Sequence, residues 1–341
     1  MKNPLPQLLW LLLLLPIFAA LMAAQPPESE PKGSWSLAIH GGAGTIPKNM
    51  PEETKQEYLK TMREALEIGK KVLADGGTSL DAVERVVRFL EDDPKFNAGR
   101  GAVFTHEGTN EMDAAIMDGR TLSCGSVASL KTVKNPISLA RMVMEKSPHV
   151  FMVGEGAEKF AAEMKAERVD PKYFFVQRRW DQLQEEIAKE KARQKPPEPD
   201  QVDRDTVGAV ALDVHGNLAA ATSTGGMTNK RFGRLGDVPV IGAGTYANNR
   251  TCAISATGKG EEFIKHTVAH DISALMEYRG MSLQQAADEV IQRKLKKEDG
   301  GVIGVARDGS IALAFNSEGM YRGAADSKGR FEVAIWEAIL K

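Results

Sequence analysis

Apolar residues recur along this chain with two different spacings. The run WSLAI (35–39) is short and apolar, and HGGAGTI (40–46) follows it, which predicts a strand closed by a glycine-rich turn. From residue 51, PEETKQEYLKTMREALEIGKKVLADGG carries one apolar face at helical spacing, with proline at its start and glycines at its stop. A second helix, TSLDAVERVVRFLEDD (78–93), opens on a Thr78/Asp81 capping pattern. Two helices in succession after one strand argue against simple β-α-β alternation.

Three later stretches share another pattern: MDAAIMDGRTLSCGSVA, GAVALDVHGNLAAATSTGG and GVIGVARDGSIALAFNSEG. Each has an apolar run, a turn centred on Asp-Gly or His-Gly, and a second apolar run, which predicts a β-hairpin. Two further helices, GEEFIKHTVAHDISALMEYRG and SLQQAADEVIQRKLKKE, are predicted between the second and third hairpins. Strands that are apolar on both sides need cover on both faces. Two stacked, mostly antiparallel sheets with helices outside satisfy that need, so the expected class is α+β, a four-layer αββα sandwich.

Composition narrows the function classes. With 42% hydrophobic residues, 26% charged residues and a net charge of −2, the 341-residue chain has the make-up of a globular protein and no electrostatic footprint for nucleic acid. Its first 24 residues differ in kind: a lysine, a leucine-rich run and a small-residue end predict a secretory signal peptide. As an anchor the run from Leu8 to Ala24 is short and broken by Pro16, so no stable membrane anchor is expected, and export to the periplasm or medium is. Residues 25–34 form a polar spacer before a single domain over 35–341. The only two cysteines, Cys124 and Cys252, make no disulfide framework and are expected as free, buried thiols.

Residues 171–205, rich in Lys, Glu, Gln and Pro, are expected to be a flexible linker. It runs into the strand TVGAVAL, and that border raises a chemical possibility. A threonine hydroxyl needs a base to act as a nucleophile. An α-amine, with a pKa of about 7.7 to 8.0, can be that base, but only if the bond before Thr206 is cut. On pattern alone a threonine at a strand start is an ordinary β residue. The glycine-, threonine- and asparagine-rich stretches at 221–249 and 255–261 downstream add groups suited to holding a small polar substrate and a developing oxyanion.

HGGAGTI, FNAGRGAVFT, DTVGAVALD, TSTGGMTNKRFGRLGD, GAGTYANN and ATGKGE, in this order, resemble the isoaspartyl peptidase/L-asparaginase family of N-terminal nucleophile hydrolases, the plant-type asparaginases. The resemblance runs from Trp35 to the C-terminus, outside the linker. It implies self-cleavage between Asp205 and Thr206 by an N-to-O acyl shift, giving an α subunit (25–205) and a β subunit (206–341). The freed Thr206 would then hydrolyse β-aspartyl dipeptides and asparagine through an acyl-enzyme. It further implies Thr224 bonded to the nucleophile, Thr257 and Gly258 as the oxyanion hole with Gly260 completing the loop, and Asn97 close by. Arg234 would grip the substrate α-carboxylate and Asp237 its α-ammonium. A loop around FNAG would hold a structural sodium ion through the main-chain carbonyls of Leu90, Glu91, Asp93, Phe96, Ala98 and Arg100. No cofactor is implied for catalysis, and a dimer of αβ units is.

Other readings stay open at this point. A glycosylasparaginase would use the same apparatus on a sugar-asparagine amide, and an exported amino-acid-binding protein would use Arg234 and Asp237 without splitting. HGGAG as a serine-esterase oxyanion loop lacks its G-x-S-x-G partner. His266 and His270, four apart, have no third metal ligand in the sequence.

Overall fold

The computed structural model describes residues 33–193 and 206–336. The predicted leader, most of the spacer, Asp205 and the last five residues lie outside the described residues, and Gly33–Lys341 belongs to one compact unit.

All three predicted hairpins form. Strand β1 (Ser36–Gly44) is followed by helices α1 (Glu52–Ala74) and α2 (Ser79–Asp92), then by the hairpin β2 (Met112–Asp118) and β3 (Cys124–Leu130). Helix α3 (Pro136–Lys146), the short strand β4 (Phe151–Val153), α4 (Gly154–Glu163) and α5 (Gln177–Arg193) come next. The second hairpin is β5 (Val207–Leu212) with β6 (Leu218–Thr224); β7 (Thr245–Ala247) and β8 (Cys252–Gly258) follow. After α6 (Gly260–His266), α7 (Val268–Arg279) and α8 (Leu283–Asp288) come β9 (Gly300–Ala306), β10 (Ile311–Phe315), β11 (Gly319–Asp326) and β12 (Phe331–Ala334).

The strands build an eight-stranded sheet in the order β12-β11-β1-β5-β6-β2-β3-β4 and a four-stranded sheet in the order β10-β9-β8-β7. Only the β3–β4 pair is parallel among the described strands. Side-chain alternation explains the layering. Along β5, Val207, Ala209 and Ala211 face α1 and α2, whereas Val210 and Leu212 face the other sheet. On β9, Ile303 and Val305 meet that inner layer, while Val302 and Ala306 pack under α7 and α8. The three resulting apolar clusters are the three interlayers of an αββα sandwich, which matches the expected fold class.

Local signals act as read. Thr78 caps α2 by accepting the Asp81 amide at 3.1 Å, a bond of a kind worth about 1 kcal/mol. Three details differ. Strand β1 continues through HGGAG with a bulge between His40 and Gly42 instead of stopping at the glycines. The first of the two later helices is broken at Thr267, whose φ of 50° splits it into α6 and α7. Cys252 is buried as expected but Cys124 only half-buried, both as free thiols.

The expected flexible linker over 171–205 is corrected in its first part. Residues 171–174 form a 3-10 turn and 177–193 form α5, which buries Phe174, Arg179 and Leu183. Arg179 Nε donates to Gly101 O at 3.0 Å, and Trp180 meets Phe104 edge-on at 5.3 Å. These contacts, with the Glu190–Arg231 ion pair, anchor a segment that its composition marks as solvated. Residues 194–205 lie outside the described residues. No helix among the described residues is long and apolar enough to cross a membrane.

Candidate active site

Thr206 heads β5, at the middle of the large sheet, and is buried. Neighbouring β6 ends on Thr224, and the hydroxyl of Thr206 donates to that of Thr224 at 3.1 Å. Thr224 Oγ1 also accepts the Gly226 amide at 3.0 Å, so the turn that stops β6 fixes the hydroxyl. Asn97, fully buried, holds that turn from below: its Nδ2 donates to Gly226 O at 2.7 Å and its Oδ1 accepts the Val103 amide at 2.9 Å. Asn97 thus touches backbone on both sides, as a brace of the site.

A small pocket opens over these threonines, lined by Thr206, Thr224, Gly226, Met227, Arg234, Gly236, Asp237 and Gly258. Five of the predicted site residues therefore line one pocket. Thr257 stands just behind Gly258, its Oγ1 accepting the Ala43 amide of β1 at 3.1 Å, which leaves the hydroxyl proton free to be donated elsewhere. Gly258 has φ 151°, and a Cβ there would lie 2.1 Å from Asp299 O, so no side chain fits and its backbone borders the pocket bare.

The Arg234 guanidinium lies in a slot walled by glycines. A Cβ at Gly260 would come within 2.9 Å of Nη2, and one at Gly236 within 3.1 Å of Nη1. Its ion-pair partner is Glu261, reached by Nε and Nη2 at 2.9 Å each. That leaves Nη1 on the pocket side. Asp237 is buried, its Oδ2 has no hydrogen-bond partner, and its pKa is pushed up to about 7, chiefly by burial, against its own amide and Arg234. A buried carboxylate oxygen without a partner is costly, and a ligand cation would satisfy it.

Sequence reading passed over four residues here. Glu261 closes the ATGKGE motif, but nothing in its spacing shows that it faces Arg234. Lys230 is buried, donates to Glu111 O at 2.9 Å, and has its pKa lowered by burial. His40 and Ser255 lie behind Thr206, joined Nε2 to Oγ at 2.8 Å.

The expected cation loop has suitable chemistry. A Cβ at Gly99 would lie 2.4 Å from Glu91 O, and one at Gly101 would lie 1.9 Å from Phe96 O and 2.7 Å from Pro94 O, so several carbonyls crowd one glycine turn. Leu90, Asp93 and Ala98 each accept one backbone amide and keep a second lone pair. Arg100 turns its guanidinium to the Tyr173 ring, 5.5 Å away, so only its main chain is available to an ion. An all-carbonyl set suits a hard cation. Among the described residues no cluster of three His, Cys, Asp or Glu could hold a metal.

This arrangement has relatives. The chain is 49% identical to the isoaspartyl peptidase of Escherichia coli over 85% of its own length and 92% of that protein's. It is 51% identical to the isoaspartyl peptidase of Salmonella typhimurium, over 84% and 93% respectively. To a probable isoaspartyl peptidase/L-asparaginase 2 of Arabidopsis thaliana it is 44% identical over 89% and 100%. A family model described as asparaginase matches residues 33–335. With the hydroxyl pair, the glycine-walled arginine and this match spanning both sheets, the chain belongs to the asparaginase family.

Proposed function

We propose that the protein is an autoprocessing amidohydrolase that cleaves β-aspartyl dipeptides and L-asparagine, with Thr206 as its nucleophile. The carrying observation is the 3.1 Å bond between the Thr206 and Thr224 hydroxyls in a pocket that Arg234 and Asp237 also line. Those two groups read a zwitterionic head, carboxylate against guanidinium and ammonium against the unpartnered Asp237 oxygen. The side-chain amide then points at Thr206.

Cleavage of the Asp205–Thr206 bond begins with attack of Thr206 Oγ on the Asp205 carbonyl. The acyl group moves from nitrogen to oxygen, water releases it, and a free α-amine remains on Thr206. In turnover that amine takes the hydroxyl proton as Oγ attacks the amide carbon. The Gly258 amide and the Thr257 hydroxyl stabilise the oxyanion, and removal of one such donor typically costs about 10² to 10³ in rate. Ammonia or the amino-acid amine leaves with the proton, and water hydrolyses the aspartyl ester to aspartate. Thr224 orients the nucleophile throughout.

Three further readings belong to this proposal. Residues 1–24 direct export to the periplasm or medium, supported by their charged start and apolar run. The carbonyl loop from Leu90 to Arg100 holds a sodium ion, which would brace the turn that carries Asn97. Two αβ units assemble as a dimer, as the family resemblance implies.

N-terminal sequencing of the smaller fragment tests the cleavage: a start at Thr206 is expected, and an unbroken chain with full activity would defeat the reading. Rates on β-aspartyl-leucine, asparagine and a glycosylated asparagine separate the peptidase branch from a glycosylasparaginase.

A further inference from the structure

His40 belongs to no part of the mechanism above, yet it is fully buried directly behind the nucleophile. Its Nδ1 lies 3.0 Å from the Thr206 carbonyl oxygen and its Nε2 lies 2.8 Å from Ser255 Oγ. Ser255 Oγ lies 2.8 Å from Thr222 Oγ1, which in turn accepts from Thr245 Oγ1 at 2.8 Å. We propose that His40 is a positioning residue for the reaction: the last link of a one-way hydrogen-bond chain that holds the backbone carbonyl of Thr206 and so aims its hydroxyl and new α-amine.

Donor and acceptor logic sets the direction. A carbonyl can only accept, so Nδ1 carries the proton and a neutral ring must accept at Nε2. Ser255 therefore donates to Nε2 and accepts from Thr222, which accepts from Thr245. Burial keeps the ring neutral, with its pKa pushed down to about 3 against the opposing bond to Thr206. His40 cannot then be a titrating base at working pH. The arrangement is tightly built, since a Cβ at Gly208 would lie 2.0 Å from Ser255 Oγ and 2.3 Å from His40 Nε2.

The chain has a purpose once the bond before Thr206 is cut. Thr206 then loses its covalent tether on the amino side, and its carbonyl is the nearest backbone group that can keep its Cα in place. Angstrom-scale misplacement of a reacting group can cost about 10²-fold in rate. The inference rests on Thr206 being the nucleophile, and its test separates the two.

Matured His40→Gln, whose side-chain amide overlays Nε2 but cannot reach the Thr206 carbonyl, is expected to lose about 10- to 100-fold in kcat at nearly constant KM. His40→Asn, whose amide overlays Nδ1, should recover most of that loss. Ser255→Ala, which leaves the ring in place but frees its tautomer, should lose kcat several-fold, and serves if the His40 variants do not mature. Long-range 15N NMR of the imidazoles, with the His40 signal assigned by its loss in His40→Asn, should show a neutral ring protonated at Nδ1 from pH 5 to 9. Full kcat in His40→Gln and Ser255→Ala, or an Nε2-protonated ring, would overturn the positioning role. An active Thr206→Ala would instead overturn the nucleophile on which it rests.

Discussion

Arg234 and Glu261 are joined by two parallel hydrogen bonds of 2.9 Å, with the carboxylate on Nε and Nη2 and the pocket on the side of Nη1. Half of the guanidinium fork is thus spent on orientation. Glu261→Gln weakens that hold without emptying the slot. It is expected to raise KM for asparagine about tenfold, through an ion pair of about 1 kcal/mol and a loosened head group, while kcat changes little. Arg234→Ala should mature normally and lose turnover chiefly through KM. Steady-state kinetics on both variants checks this, and an unchanged KM in Arg234→Ala would remove the residue from head-group binding.

Asp237 makes a pH prediction. Burial raises its pKa to about 7, so in the empty enzyme the carboxylate is progressively lost as pH falls below that value. In its proposed role it binds a substrate ammonium in the charged form. The affinity of the mature enzyme for L-aspartate should therefore strengthen more than about tenfold from pH 5.5 to 7 and level off above about pH 8. Calorimetry on wild type and Asp237→Asn reads it: the variant should bind weakly with no such slope.

Thr206→Ala is expected to remain one chain on a denaturing gel and to be inactive. Two fragments from that variant would place the cut elsewhere. Thr224→Ala removes the acceptor of the Thr206 hydroxyl and the anchor of the Gly226 amide together, so both maturation and turnover should slow.

How much of this could be read beforehand follows from the kind of signal each residue leaves. The hairpins and α1–α2 were legible because alternation and helical period are local. The αββα layering followed from strands that are apolar on both sides. Thr206, Arg234 and Asp237 were legible only through motif resemblance, and the structure adds their convergence on one pocket. Glu261 and His40 were not legible, because a hydrogen bond between residues 27 or 166 positions apart leaves no periodicity. Helix α5 was misread because its hold on the body comes from a buried arginine, which composition counts as a surface residue.

Arg179 offers the corresponding stability test. Its guanidinium is fully buried and donates to Gly101 O, next to the turn that carries Asn97. Arg179→Ala leaves that carbonyl unpaired and a void behind, which together cost about 2–4 kcal/mol. Urea unfolding should show a lower midpoint.

Glu91 gives stability a pH slope. Burial raises its carboxyl from the ordinary value of 4.5 to about 8, against hydrogen bonds from Ser223 and the Ile137 amide. The folded state therefore holds a proton that the unfolded chain gives up. Its contribution is full below pH 4.5 and is lost as pH rises toward 8. Glu91→Gln should flatten the urea midpoint across that window relative to wild type.

Strand β1 lies between β11 and β5, while β2 lies against β6, so the segments before and after Thr206 alternate within one hydrogen-bonded ladder. In the cut form proposed above, the two pieces cannot come apart as folded units: separating them means dismantling the central sheet. Renaturation of the cut form from denaturant would be a second-order encounter of two chains, slowing as the sample is diluted, whereas the uncut precursor refolds at a rate independent of its concentration. Under the proposed maturation, the molecule assembles its sheet while it is still one strand of peptide and gives up that shortcut on cleavage.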